Sequence, residues 1–449
     1  MSVASVKAAA ATGPRIGYAG MTHLGLISGV AAAARGFATV CFDPDRQRIA
    51  ALKRGELPVV EPGLPELLAA HRDRLDFTAE PAALAACDVV YVAPDVPTDD
   101  KGSSDLGPLE ALLATVGMAV RPDAVLVILS QVPPGFTRRR LHERVPAEGE
   151  QRLLYYQVET LVFGRAVERA LKPERFIVGC ADPAKPLPAA YADFLAVFAC
   201  PILPMRFESA ELAKISINLC LVASVSVANT LAELCERIGA DWGEIAPALR
   251  LDPRIGADAY LSPGLGLAGG NLERDLATIL NCSRETGTDA AIVAAFLHSS
   301  RHRRDWALRT LHSEVLAERP KATIGILGLA YKENTHSTKN SPSLALIRHL
   351  QPWRLRLFDP VVPAAAAAHP AAAAAASPLD AAEGADALVI MTPWPQFRAL
   401  DPKDIARRMA GPTVIDPYRV LSGPAVSAAG LDWLTLGMPA LRRRKSSHA

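Results

Sequence analysis

Along most of the chain, short fully apolar runs alternate with longer Ala- and Leu-rich stretches, the pattern of buried parallel strands joined by covering helices. Arg15-Ile16-Gly17-Tyr18-Ala19 leads into the turn Gly20-Met21-Thr22-His23-Leu24-Gly25, a helix-like stretch follows, and Ala38 to Asp43 reads as a second strand. Val89 to Ala93 and Val125 to Ser130 continue the series, each ending in a polar or Pro-containing loop. From Glu208 to Ile238 there is no Gly or Pro, which predicts one helix of about 45 Å at ~1.5 Å per residue. A second strand-turn-helix opening spans Ala322 to Leu329, with Leu355 to Asp359, Ala387 to Met391 and Val414 to Asp416 as further strands. The Ala-rich stretch after Pro363, broken by Pro370 and running to Ser377, predicts a surface insertion.

This alternation predicts an α/β protein: two Rossmann-like parallel-sheet domains joined by a long central helix and a helical middle domain. The expected boundaries are a disordered leader at 1–14, a dinucleotide-binding domain at 15–205, a helical dimerisation domain at 206–315, a second Rossmann-like domain at 316–440 and a basic tail at 441–449.

Composition narrows the class. The 449 residues, 50% hydrophobic and 21% charged, are enough for about three packed domains and rule out general disorder. Forty-eight basic and forty-seven acidic side chains leave a formal charge of +1, so no global field favours nucleic acid or an anionic membrane. The basic run Arg442-Arg443-Arg444-Lys445 reads as a solvated terminus. Seven scattered cysteines without a C-x-x-C pair fit a reduced cytosol and argue against disulfides or a metal centre. The first fourteen residues lack a basic n-region, so no signal peptide is expected. The most apolar stretch, Leu212 to Leu234, is interrupted by Lys214, Asn218, Ser224, Ser226 and Asn229, which predicts a buried helix of a cytoplasmic protein rather than a membrane span.

Candidate chemistry begins at the first turn. A Gly-rich turn after the first strand brings backbone N–H groups to a diphosphate at a helix N-terminus, and an acidic residue ending the second strand accepts from the adenosine ribose. Gly20, Gly25 and Asp43 hold those places. Thr22 stands where the middle glycine of such turns falls, so its side chain is expected to crowd the diphosphate unless the turn shifts outward. Asp43 in place of an Arg favours NAD over NADP.

The segment Gly55-Glu56-Leu57-Pro58-Val59-Val60-Glu61-Pro62-Gly63-Leu64-Pro65-Glu66-Leu67-Leu68 resembles the UDP-glucose/GDP-mannose dehydrogenase family. The resemblance continues in order and spacing through Val96-Pro97-Thr98, Ser130-Gln131-Val132-Pro133-Pro134-Gly135, Leu171-Lys172-Pro173-Glu174-Arg175, Ser209 to Lys214, Leu234 to Asp241, Asp252-Pro253-Arg254-Ile255-Gly256, Gly328-Leu329-Ala330-Tyr331-Lys332, Ser341-Pro342 and Thr392-Pro393-Trp394. It covers about Arg15 to Leu436. It implies NAD as cofactor, a UDP- or GDP-linked sugar as substrate and a homodimer. Family members commonly oxidise a primary 6-hydroxyl twice, trapping the intermediate aldehyde on a cysteine and hydrolysing the thioester.

Matched residue by residue, the resemblance assigns Gly20, Thr22, His23, Leu24, Gly25, Asp43, Pro97, Thr98 and Gln131 to the cofactor. Lys214 and Asn218, four apart on one helix face, fall on the substrate oxygen, Asp275 on proton transfer, and Glu159 on the reacting carbon, although its neighbours depart from the usual pattern. Arg254 is implied to reach the partner's site, and Lys332 and Arg419 to contact the sugar nucleotide. His336, Ser337, Lys339 and Asn340 depart from the acidic residues and arginine usual there.

The decisive departure is Asn271, which stands at the family's cysteine position in Gly269-Gly270-Asn271-Leu272-Glu273-Arg274-Asp275. An amide cannot form a thiohemiacetal, and Gln131 replaces a threonine that helps hold the hydrolytic water. Cys220 and Cys282, nearest in sequence, sit in apolar helical stretches where buried thiols are inert. The expectation is one two-electron oxidation, preferably of a secondary alcohol to a ketone; such a product suits later transamination, as in routes to aminosugars or longer-chain antibiotic sugars. The alternatives are four-electron oxidation to a uronic acid and a catalytically silent binding subunit.

Overall fold

The computed structural model describes residues 13–99, 102–143, 153–159 and 161–443. Most of the leader and the end of the basic tail lie outside these residues. The chain divides into two compact units, residues 1–217 and 218–449, and the division falls within the long Phe207–Ile238 helix.

The first unit holds an eight-stranded sheet. Its strands are β1 (Ile16–Ala19), β2 (Thr39–Phe42), β3 (Leu75–Thr78), β4 (Val89–Val92), β5 (Val125–Ile128), β6 (Leu154–Gln157), β7 (Phe176–Cys180) and β8 (Ile202–Arg206), in the order β3-β2-β1-β4-β5-β6-β7-β8. Strands β1, β2, β4 and β5 are buried along their whole length, which is why they read as continuous apolar runs rather than alternating ones. The sheet is not wholly parallel as expected: β7 runs antiparallel to β6. The order reverses between β1 and β4, the switch point at which open α/β sheets bind ligands. Helix α1 (His23–Ala34) starts there, and nearly all its residues are buried. Helix α2 (Arg46–Lys53) follows β2, with Asp45 as its N-cap accepting from Gln47 and Arg48.

The second unit carries a six-stranded sheet in the order β11-β10-β9-β12-β13-β14, formed by β9 (Thr323–Leu327), β10 (Arg354–Phe358), β11 (Ala372–Ala374), β12 (Ala387–Ile390), β13 (Thr413–Ile415) and β14 (Asp432–Leu434). All its pairings are parallel. Here the alanine-rich stretch corrects the expectation of an insertion: Ala372–Ala374 pairs with Leu355–Leu357 as the edge strand of the sheet. Alanine has little strand preference, so only the partner strand determines the assignment.

The long helix runs without interruption over 32 residues and is long and apolar enough to cross a membrane by length and composition alone. Only 28% of its most apolar stretch is buried within the chain, where the sequence predicts a buried helix. Val227, Leu231, Leu234 and Ile238 are exposed and recur at four-, three- and four-residue steps, which places them on one helix face.

Candidate active site

In the first unit the C-terminal ends of the parallel strands converge on the α1 turn. Gly20 has φ +95°, and a Cβ there would lie 2.8 Å from the Pro94 nitrogen. A Cβ on Gly25 would lie 2.0 Å from the Gly20 carbonyl oxygen. Both positions therefore require glycine, and together they give the tight turn and close strand-helix approach that a dinucleotide cradle needs. Thr22 is the N-cap of α1 but makes no side-chain cap bond; its Oγ1 accepts instead from the Asp95 N–H at 2.8 Å. The threonine hydroxyl is thereby directed toward the loop after β4. His23 stacks on Phe163 with centroids 4.0 Å apart, and its Nε2 lies 3.4 Å from Glu61. The buried Glu61 carboxylate also accepts from the Gly164 and Ala166 N–H groups, which accounts for a glutamate at this point of the Glu61-Pro62-Gly63-Leu64 motif.

Asp43 ends β2, as expected for the ribose-side carboxylate, and is buried. It accepts from the Met21 N–H at 2.7 Å and the Asp45 N–H at 2.9 Å. Arg48 donates to both Asp43 oxygens, at 2.8 and 2.9 Å. Sequence reasoning missed Arg48; the signal was an Asp N-cap at Asp45 that carries the first turn of α2 back over the strand end. The turn, the carboxylate and the buried strand ends fit the adenosine and diphosphate part of NAD. Pro97 and Thr98 lie on the loop after β4, and Gln131 and Glu159 lie three and two residues past the ends of β5 and β6, so all stand on loops at the C-terminal ends of these strands.

Lys214 lies on the long helix, half-buried, one turn before Asn218. Glu211, three residues earlier and fully buried, accepts from the N–H groups of Gly135 at 2.5 Å and Thr137 at 2.8 Å. It thereby ties the loop that begins at Gln131 to the helix that carries Lys214. Burial pushes the Glu211 carboxyl above its ordinary value despite these donors.

In the second unit, Asn218 Nδ2 donates to Asp275 Oδ2 at 2.5 Å. Asp275 is buried, and the buried Arg274 lies 3.4 Å from its other oxygen. Asn271 is the first residue of the Asn271–Thr286 helix and is exposed. The loop before it is pinned from the C-terminal part of the chain: the Gly269 N–H donates to the Lys339 carbonyl, and Asn340 donates to the Gly269 carbonyl and to the Glu273 carboxylate. Burial raises the Glu273 carboxyl, opposed by Arg304, Arg301 and Lys339. Asn340, one of the departures noted in the sequence, therefore holds the loop that ends at Asn271.

Tyr331 packs against Gly269, with the Lys332 ammonium 5.7 Å from its ring centre. Arg419 has φ +52° and pairs with Asp241 at 2.6 Å, a partner the sequence did not reveal. Arg254 chelates Asp252 and has a side chain 89% exposed. Among the thiols, Cys220 corrects the expectation of a buried group: it is exposed, and Cys282 is half-buried. Burial raises the Cys282 thiol and pushes the Cys87 thiol up to about 12.

The second sheet has a strand-end aspartate too, and its surroundings differ. Asp359 accepts from the N–H groups of Leu329, Ala330, Val361 and Val362 and from the Trp394 indole. Those donors tie the turn after β9 and the loop after β10 to this strand end.

Residues 14–194, 208–301 and 325–423 match, in turn, the NAD binding domain, the central domain and the UDP binding domain of the UDP-glucose/GDP-mannose dehydrogenase family. The chain belongs to that family. It is 30% identical over 443 residues to the UDP-glucose 6-dehydrogenase TuaD of Bacillus subtilis, covering 96% of this chain and 95% of that protein. It is 32% identical over 457 residues to the UDP-glucose 6-dehydrogenase of Pseudomonas aeruginosa, covering 97% of this chain and 100% of the relative. A UDP-glucose dehydrogenase of Pyrobaculum islandicum shares the fold with a TM-score of 0.79 and 27% identity, over 94% of this chain and 99% of the other. The protein is thus an NAD-dependent oxidoreductase acting on a CH–OH group, and a nucleotide sugar is its substrate class.

Proposed function

We propose that this family member removes one pair of electrons from its nucleotide sugar and stops at a carbonyl, with a secondary alcohol giving a ketone as the preferred case. The observation that carries this reading is Asn271, exposed at the head of its helix and matched to the place of the family's nucleophilic cysteine. An amide offers no sulfur to trap an aldehyde.

The remaining thiols support the same reading. Cys282 lies on the Asn271–Thr286 helix, about 16 Å farther along its axis at ~1.5 Å per residue. Cys220 is two residues beyond Asn218 on the long helix, about 200° around the axis and so on the opposite face. Cys41, Cys87, Cys180 and Cys235 are buried and Cys200 is half-buried, and burial raises each of these thiols.

When bound, NAD accepts the hydride. In this reading Lys214 and Asn218 donate to the substrate oxygen and stabilise alkoxide character as it develops. Asp275, held by Asn218, takes part in moving the hydroxyl proton. Glu159 stands by the reacting carbon and Gln131 by the cofactor. Lys332 and Arg419 serve the sugar nucleotide.

We take the protein to act in the cytoplasm as a homodimer in which Arg254 reaches the partner's site. The apolar stripe Val227, Leu231, Leu234 and Ile238 supports self-association, since burying it against a second copy removes apolar surface from water.

UDP-glucose, the substrate in the relatives' names, is the first compound to test, followed by other UDP- and GDP-sugars. An intact-mass spectrum of the product is predicted to show loss of two hydrogens. Loss of two hydrogens with gain of one oxygen would mean an acid and would refute the reading.

A further inference from the structure

We infer that Asp95 is a built-in occupant of the cofactor's diphosphate cradle and sets the affinity for NAD. The first N–H groups of a helix have no partner within the helix, and at a Gly-rich turn they are the donors offered to a diphosphate. One of these, the His23 N–H of α1, is already taken by Asp95 Oδ2 at 3.0 Å. The contact is reciprocal, because the Asp95 N–H donates to Thr22 Oγ1 at 2.8 Å.

The segment bearing Asp95 is fixed from below. The buried Ser130 hydroxyl, just past β5, donates to the Pro94 carbonyl, and Pro94 packs directly on Gly20. The backbone is held while the Asp95 side chain itself is exposed, so the carboxylate can swing into water without disturbing the turn.

Two consequences follow from charge. In the absence of cofactor, the carboxylate caps α1 and complements the positive end of its dipole, which stabilises the helix. When the diphosphate arrives, two anionic groups compete for the same N–H groups, and the carboxylate has to leave. Thr22, at the place of a glycine, is part of this device: its hydroxyl holds the Asp95 backbone where the carboxylate reaches His23.

Thermal stability and cofactor affinity are expected to move in opposite directions. Asp95→Ala removes the cap and the charge, so the cofactor-free protein melts at lower temperature while NAD binds about three- to tenfold more tightly, the size expected of a lost capping competitor. Asp95→Asn keeps an acceptor but not the charge, and it tightens NAD with less thermal cost. It also keeps the test informative should the alanine variant fold poorly.

Calorimetric titration of the full-length protein with NAD, ADP-ribose and adenosine separates the contributions. The first two carry the diphosphate and gain affinity in both variants; adenosine lacks it and binds as in wild type. Unchanged or weaker NAD binding in Asp95→Asn, or an equal gain for adenosine, would overturn the inference. The measurement concerns binding alone and stands whether one or two oxidations follow.

Discussion

Asn218 and Asp275, fifty-seven residues apart in sequence, are joined by a 2.5 Å hydrogen bond from the amide to the carboxylate. Asp275 is 2% exposed, so the bond forms in surroundings where an unpaired carboxylate would be costly. The amide fixes one carboxylate oxygen. Replacing Asp275 by Asn keeps the volume and removes the proton acceptor. The expected outcome is a fall in kcat of about 100-fold or more, the usual size of a general acid–base contribution, with the NAD dissociation constant unchanged. Steady-state kinetics paired with a direct NAD titration checks both halves, and a variant with near-normal kcat would remove Asp275 from the chemistry.

Arg48 Nη1 donates to both carboxylate oxygens of Asp43, the strand end that the turn offers to adenosine. The carboxylate repels a 2′-phosphate, while the guanidinium suits one. Asp43→Ser is therefore expected to release Arg48 and lower KM for NADP by at least about tenfold, a change of ~1.4 kcal/mol, while raising KM for NAD. Initial rates with both cofactors decide this; unchanged discrimination would place selectivity elsewhere.

The exposed stripe on the long helix leads to a prediction about assembly. Leu231, 39% exposed, sits between Val227 and Leu234 on the same face. Leu231→Asp would bury a charge in a dimer interface, a strongly unfavourable step. Sedimentation velocity is expected to show a dimer for wild type and a monomer for the variant. A wild-type monomer at micromolar concentration would contradict the assembly proposed above.

Glu211 predicts a pH dependence of stability. Burial raises its folded-state pKa, so the folded protein holds this proton more tightly than the unfolded chain. Below the unfolded pKa, both states are protonated and the shift contributes nothing. As pH rises, the unfolded state ionises first and this group costs stability, with the full cost reached above the folded pKa. Glu211→Gln abolishes that term but leaves one oxygen to serve the two N–H groups of Gly135 and Thr137. Its Tm relative to wild type is accordingly expected to improve between pH 4 and pH 7. Thermal melts across that range check the sign; a constant difference would mean the carboxylate titrates alike in both states.

Strands buried on both faces were legible because nothing but apolar residues fits there, as in Val89–Val92 and Ala387–Ile390. The helix ending at Ile238 was legible from the absence of breakers before Gly239. Its exposure was not, because an apolar face looks the same in sequence whether the chain itself or a second copy covers it. Strand β11 was hidden by alanine, whose side chain gives no alternation to read. At the site, Gly20, Gly25 and Asp43 could be found from turn geometry, whereas Asn218, Asp275 and Asn271 became candidates only through the resemblance to a family. Asp95 and Arg48, and the loop-holding role of Asn340, were missed for a common reason: each acts through hydrogen bonds to a distant or turned-back segment, and no periodicity encodes such a contact.

The central claim is that oxidation ends after one hydride because Asn271 supplies no sulfur. Its most direct test is the stoichiometry of NADH formed per nucleotide sugar consumed, followed to completion by absorbance and chromatography on the same sample. A ratio of one is predicted. A ratio of two would contradict the claim.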